Sequence, residues 1–184
     1  MVRPGGYDGG ASLSRGRGGG RPLRRPRTAQ QIQIRLARPE DAGGIASVLR
    51  ESFLEYKSLY TDGGFAATTP TAEQIQARWP EGPVWVALAH RGVVGTVAAV
   101  RKGDSAYIRS MAVLPATRGS GTGSSLLEQV ERGAAGERIT RLFLSTTPFL
   151  VSAIRLYERS GFQRVDDGPH DLFGTPLFTM EKMI

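Results

Sequence analysis

Cysteine is absent from the 184 residues. That excludes disulfides, a thiolate metal site and a cysteine nucleophile, and it fits a reducing compartment, so the cytoplasm is the expected location. Histidine is scarce, with His90 and His170 alone, and no G-x-S-x-G sequence accompanies them. A serine-hydrolase triad therefore has little support. No apolar stretch approaches the ~18 residues that cross a bilayer, and no membrane partner is expected. Arg24-Arg25 resembles a twin-arginine signal, but the polar stretch "PRTAQQIQIR" follows where an apolar segment would be needed, so no export signal is expected. No repeat of recognisable period runs along the chain.

Acidic residues are nearly missing from the first 28 positions, which hold seven arginines and only Asp8. The whole chain has 24 basic and 17 acidic side chains, a net charge of +7. Beyond residue 28 that leaves 17 basic against 16 acidic groups, or +1. Large apolar residues are also rare in this basic segment. It cannot bury enough surface to offset the entropy of ordering its backbone, so residues 1–30 are expected to be a disordered Arg/Gly-rich tail and 31–184 one domain. Arginine with glycine suits weak, nonspecific contact with nucleic-acid phosphates. One tyrosine gives no regular base-stacking platform, and a dispensable extension is the simpler reading.

The domain's elements follow from periodicity. "IQIRLA" alternates Ile32, Ile34 and Leu36 as a strand does. Pro39 opens a helix with Glu40 and Asp41 in its first turn and Ile45, Leu49, Ser52, Phe53 and Tyr56 at helical spacing. "YTDGGFAATTP" reads as a loop. Thr71 and Gln74 form a capping box that starts a helix ending near Pro80. "PVWVALAH" and "VVGTVAAV" read as a hairpin about Arg91-Gly92, and "AYIRSMAVL" as the next strand. A helix with Leu126, Leu127, Val130 and Ala134 on one face follows, then the strand "RLFLSTT". A helix carrying Ala153, Ile154, Leu156 and Tyr157 stops at Gly161. "FQRV" and "PLFTMEKMI" close the chain as strands around the loop "DDGPHDLFGT". The order βααβββαβαββ predicts an α/β (α+β) domain, with adjacent antiparallel strands first and a strand–helix–strand crossover later.

"PATRGSGTGSSLL" sits between a strand and a helix. A helix N-terminus carries backbone N–H groups without partners and the positive end of the dipole. Glycines remove the Cβ atoms that would hold a phosphate away from those donors. Arg118, Gly119, Ser120, Gly121, Thr122, Gly123 and Ser124 therefore look built to hold an anionic phosphate group, with Arg118 as a cation that grips phosphate oxygens. A nucleotide-hydrolysing loop would need a lysine, which is missing here. A dinucleotide fingerprint would need a third glycine where Ser124 stands and a shorter approach from the strand.

The run R-G-S-G-T-G resembles the [Q/R]-x-x-G-x-[G/A] signature of the GCN5-related N-acetyltransferase (GNAT) superfamily. "SMAVLPATRGSGTGSSLL" is similar to that family's strand–loop–helix motif A, and "AIRLYERSGF" to its motif B. The resemblance implies a mixed, mostly antiparallel twisted sheet of about six to seven strands with about four helices and a V-shaped splay between two central parallel strands. It further implies that residues 118–123 bind the pyrophosphate of coenzyme A and that backbone groups of Met111, Ala112 and Val113 meet the pantetheine arm and the thioester. Tyr157 would lie near the sulfur as a general acid.

The activity so implied is direct transfer of an acetyl group from acetyl-coenzyme A, as cosubstrate and without a metal, to a primary amine of a small molecule or peptide. With no cysteine, no covalent acyl-enzyme is expected. The family often carries a glutamate base near Tyr107 and an asparagine at Leu150, and this sequence has neither. Glu51, Glu55 and His170 stand as candidate bases or acceptor contacts. Glu51 and Glu55 share a helix face, and loops 57–70 and 166–176 are expected to shape the acceptor pocket. "DDGPHD" around His170 reads as a polar turn rather than a metal site. A catalytically weak acyl-coenzyme A sensor is the alternative, and homodimerisation is left open by the sequence.

Overall fold

The computed structural model describes residues 32–184 apart from Arg91 and Pro169, so the expected disordered tail lies outside the described residues. Strand β1 (Gln33–Leu36) leads through a 3-10 turn at Pro39–Asp41 into helix α1 (Ala42–Leu54). Short helices α2 (Asp62–Thr68) and α3 (Ala72–Ala77) follow, then β2 (Val84–Ala89), β3 (Gly92–Lys102) and β4 (Ser105–Val113). Helix α4 (Thr122–Ala135) crosses to β5 (Arg141–Thr146), and α5 (Val151–Arg159) leads to β6 (Gln163–Val165). The two-residue strands β7 (Asp171–Leu172) and β8 (Thr175–Pro176) precede the closing β9 (Phe178–Met183).

Seven strands make one sheet in the order β1-β2-β3-β4-β5-β9-β6, and β7 and β8 form a separate ribbon. Every neighbouring pair in the large sheet is antiparallel except β4 and β5, which α4 joins as parallel partners. The expected fold class therefore holds, with five α-helices where about four were expected.

Both faces of the central strands are covered, so β2 and β3 read as nearly continuous apolar runs rather than alternating ones. On one face Leu126, Leu127, Val130 and Ala134 of α4 pack with Val97, Ile108, Leu142 and Leu144. On the other, Ile45, Val48 and Leu49 of α1 and Ile75 of α3 pack with Val86 and Ala112. Asp41 ties the first strand to the first helix. Its carboxylate accepts from Arg35 at 2.7 and 3.0 Å and from the Arg38 N–H at 2.7 Å. The Arg35 guanidinium holds that carboxyl below its ordinary range.

Three expectations need correction. Leu36 is 58% exposed, because the edge strand β1 ends there. The stretch 62–68, read as a loop, is helical. The Thr61 hydroxyl caps it by accepting from the Gly64 N–H at 3.0 Å and also donates to the Phe173 carbonyl. Part of "DDGPHDLFGT" is the β7–β8 hairpin, turning at Phe173 and Gly174, both at positive φ. No helix among the described residues is long and apolar enough to cross a membrane.

Candidate active site

The parallel pair opens part-way along. β4 and β5 are in register from Ser105 opposite Arg141 to Ile108 opposite Leu144. No pairing between them extends further among the described residues, although β4 runs on to Val113. The cause lies on the other side of β4. There Thr96 faces Ala112 and Ala98 faces Arg109, so Ser110 and Met111 stand together opposite Val97. This is a β-bulge, and Ser110 adopts φ 50° within it. An extra residue bends and twists the bulged strand, which carries Met111, Ala112 and Val113 away from β5. The splay anticipated from the sequence is thus present, with those three residues along its β4 side.

Beyond β4 the chain makes a 3-10 turn at Pro115–Thr117 and reaches the glycine-rich loop. Gly119 and Gly121 take φ 78° and 84°, a conformation that costs other residues appreciably more. A Cβ built on either would meet nothing within 4 Å, so both face open space. Ser120 closes the loop on itself, its hydroxyl lying 2.7 Å from the Thr117 carbonyl and 2.8 Å from the Thr122 hydroxyl. The first main-chain bond of the following helix is Ser125 N–H to the Gly121 carbonyl at 3.0 Å. Among the described residues, none of the six successive backbone N–H groups from Gly119 to Ser124 has an acceptor. Gly123 serves a different purpose: a Cβ there would lie 2.8 Å from Leu156 Cδ2 and 3.8 Å from Met111 Cε. The start of α4, the bulged strand and α5 therefore meet at one point.

The Arg118 side chain turns back onto α1. It donates to the Ser52 carbonyl at 3.0 Å, approaches the Val113 carbonyl at 3.4 Å and pairs with Glu55. It fastens the loop to the end of α1. Glu55 is correspondingly occupied as an ion-pair partner. Glu51, one turn earlier, lines a separate groove with Glu40, Ser47 and Leu114. His170 is exposed, and its carbonyl accepts the Leu177 N–H at 2.9 Å. The two glutamates thus lie one turn apart at the end of α1, Glu55 paired with Arg118 and Glu51 beside the groove.

Tyr157 is buried in the α4–α5 core, with its ring 5.9 Å from Phe162. Burial, reinforced by the nearby phenols of Tyr107 and Tyr60, pushes its hydroxyl far above the ordinary tyrosine range. The hydroxyl has no hydrogen-bond partner among the described residues. Tyr60 is likewise pushed up by burial. Its ring meets Phe149 edge-on at 4.9 Å and Phe53 at 6.3 Å, joining the end of α1 to the β5–α5 connection. Thr147, one residue beyond β5, is buried with no partner for its hydroxyl among the described residues. Tyr60, Ser110 and Thr147 were not singled out from the sequence. The bulge depends on how many residues β3 sets against β4, and only the pairing reveals that.

The family model described as Acetyltransferase (GNAT) family matches residues 47–162. The chain belongs to the GNAT acetyltransferase family. A relative, the uncharacterized N-acetyltransferase YjgM of Escherichia coli, is 32% identical over 133 residues, which cover 69% of this chain and 79% of that one. The fold is shared with solved GNAT structures. The PaiA N-acetyltransferase of Thermoplasma acidophilum, in complex with coenzyme A, superposes with TM-score 0.72 at 20% identity, covering 84% of this chain and 99% of that one. The ribosomal-protein-S18-alanine N-acetyltransferase of E. coli gives TM-score 0.66 at 16% identity over 84% and 94%. Within this GNAT chain, Leu150 occupies the N-cap of α5 and offers only its carbonyl, which accepts the Ala153 and Ile154 N–H groups at 3.0 Å.

Proposed function

We propose that the chain moves an acyl group, acetyl as the family default, from acyl-coenzyme A directly to a primary amine. The observation that carries this reading is the row of six unsatisfied N–H groups at the mouth of α4, next to a splayed strand edge. Such a row at the positive end of a 14-residue helix suits a diphosphate. The open space over Gly119 and Gly121 lets its oxygens approach the backbone. In this reading the loop's main chain, from Gly119 through Ser120, Gly121, Thr122 and Gly123 to Ser124, is the anion site. Arg118 holds the loop in place through α1. The edge of β4 at Met111, Ala112 and Val113, which β5 leaves unpaired, takes the pantetheine arm.

The amine must be neutral to attack. An alkylamine has a pKa near ~10.4, so only about one molecule in a few thousand is ready at neutral pH. Its nitrogen adds to the thioester carbon, a backbone N–H near the bulge stabilises the oxyanion, and the C–S bond breaks. One proton leaves nitrogen and one arrives on sulfur. A thiolate with a pKa near ~8.5 is a weaker base than the phenolate of buried Tyr157, so Tyr157 assists as a hydrogen-bond donor to the departing sulfur. Glu55, bound to Arg118, and Glu51, in its own groove, contribute to position and surface charge in this scheme.

The test is calorimetric. Coenzyme A should bind the purified chain, and Gly121→Val should weaken that binding tenfold or more. Because valine is strained at φ 84°, the variant's thermal midpoint should also fall, and binding is compared well below it, where both chains are folded. Failure of coenzyme A to bind, or equal binding by the variant, overturns the anion site. A chain that binds coenzyme A yet releases no thiol from acetyl-coenzyme A with any amine or peptide would instead be the sensor.

A further inference from the structure

On the α1 and α3 side of the bulge lies a second recess of about 20 Å³, open at its mouth, with room at its floor for a single oxygen atom. It is lined by Arg78, Arg109, Thr96 and Ser110, with Ile45 and Ile75 among its apolar walls. Thr96 is 0% exposed, and its hydroxyl has no hydrogen-bond partner among the described residues. A buried donor without an acceptor costs about 1–3 kcal/mol, so it marks a place where a polar group belongs. Arg109 pairs with Glu81. Arg78 is half-buried at the end of α3 and has no carboxylate partner among the described residues. Two cations thus face one anion, beside apolar walls that strengthen charge interactions. One further negative charge balances the recess, and a doubly charged phosphate would overshoot it. A carboxylate also suits the planar guanidinium fork.

Position ties this recess to the reaction. Ser110 precedes Met111, the residue at the opening of the splay, and strand residues advance only ~3.3 Å each. We propose that the acceptor is a small amine that also carries a carboxylate, an amino acid in chemical class, with the carboxylate held by Arg78 and Arg109 over Thr96 and the amine directed to the bulge. The proposal rests on the transferase reading above and names its second substrate. Arg78 and Arg109 are specificity-determining residues in it.

The experiment compares matched acceptors with acetyl-coenzyme A and the full chain: leucine, leucinamide and isoamylamine; phenylalanine, phenylalaninamide and phenethylamine; and short peptides beginning with the same residues. The carboxylated members should be preferred at least tenfold in kcat/KM, with the difference in KM. Arg78→Gln should remove most of that preference while coenzyme A affinity and the thermal midpoint stay as in the unsubstituted chain. Turnover that is equal or better with the amides, decarboxylated amines or peptides overturns the carboxylate site and leaves the transferase reading standing. If no acceptor turns over, the amino acids are titrated calorimetrically into the chain, with and without coenzyme A. Binding that needs the carboxylate and is lost in Arg78→Gln supports the proposal, and its absence overturns it. Failure of the transferase reading shows separately, as failure of coenzyme A to bind.

Discussion

A single hydroxyl separates the structural from the chemical account of Tyr157. The ring is core, packed near Phe162 and filling the space between α5 and the sheet. The hydroxyl adds nothing to that packing and makes no hydrogen bond among the described residues, so its removal costs the fold little. Tyr157→Phe should therefore leave the thermal midpoint unchanged or slightly higher. Coenzyme A affinity should also hold. Turnover should fall about 100-fold, the low end of the range for loss of one donor or acid, since the thiolate is already a fair leaving group. Because burial raises the phenol's pKa well above its ordinary value, the group stays protonated throughout the neutral and mildly alkaline range. Its contribution should then show no titration between pH 6 and 9, and any rise in rate with pH there should persist in the variant as the amine's own deprotonation. Steady-state rates across that range with one good acceptor decide it. Unaltered turnover at every pH would make Tyr157 a packing residue only.

Among the elements, those with strong local signals were legible in sequence. α4 shows its apolar stripe at Leu126, Leu127, Val130 and Ala134, and all four are buried. The capping box of Thr71 and Gln74 starts α3, with the Gln74 side chain accepting from the Thr71 N–H at 2.9 Å. What escaped reading is held by distant residues. α2 contains Gly63 and Gly64, poor helix formers, yet the Thr175 hydroxyl accepts from the Thr61 N–H at 3.0 Å and anchors its cap. The β7–β8 hairpin turns on Phe173 at φ 51°, where a phenylalanine is not the expected turn residue. The glycine-rich loop was legible as a strand-to-helix connection of bare backbone, but its third glycine has a packing role that spacing alone did not show. Gly123 lets α5 approach α4, so Gly123→Ala should cost about 1–2 kcal/mol of stability as Leu156 is displaced. The N–H remains in place, so coenzyme A affinity should fall less than threefold. Denaturant unfolding and calorimetry on the same variant separate the two effects. A tenfold loss of affinity with unchanged stability would return Gly123 to the phosphate site alone.

At the scale of the whole chain, charge divides the molecule more sharply than sequence length does. Six of the seven net positive charges lie in residues 1–28 and one in the remainder. The site residues discussed above all lie in that nearly neutral remainder. Transfer chemistry and attraction to polyanions should therefore separate cleanly. Removing residues 1–28 should leave acetyl transfer within about twofold, because no site group is lost. Retention on a heparin column or on RNA at low salt should disappear with the seven arginines. In the full chain that retention should weaken steeply with salt, as counterion release requires, with no preference among nucleic-acid sequences. Transfer rates for both forms, together with RNA affinity at two salt concentrations, check both halves. A truncated chain that binds RNA as before would move the basic surface into the domain. One that loses transfer would make the first 28 residues part of the enzyme's working structure, and the boundary near residue 31 would no longer mark where function begins.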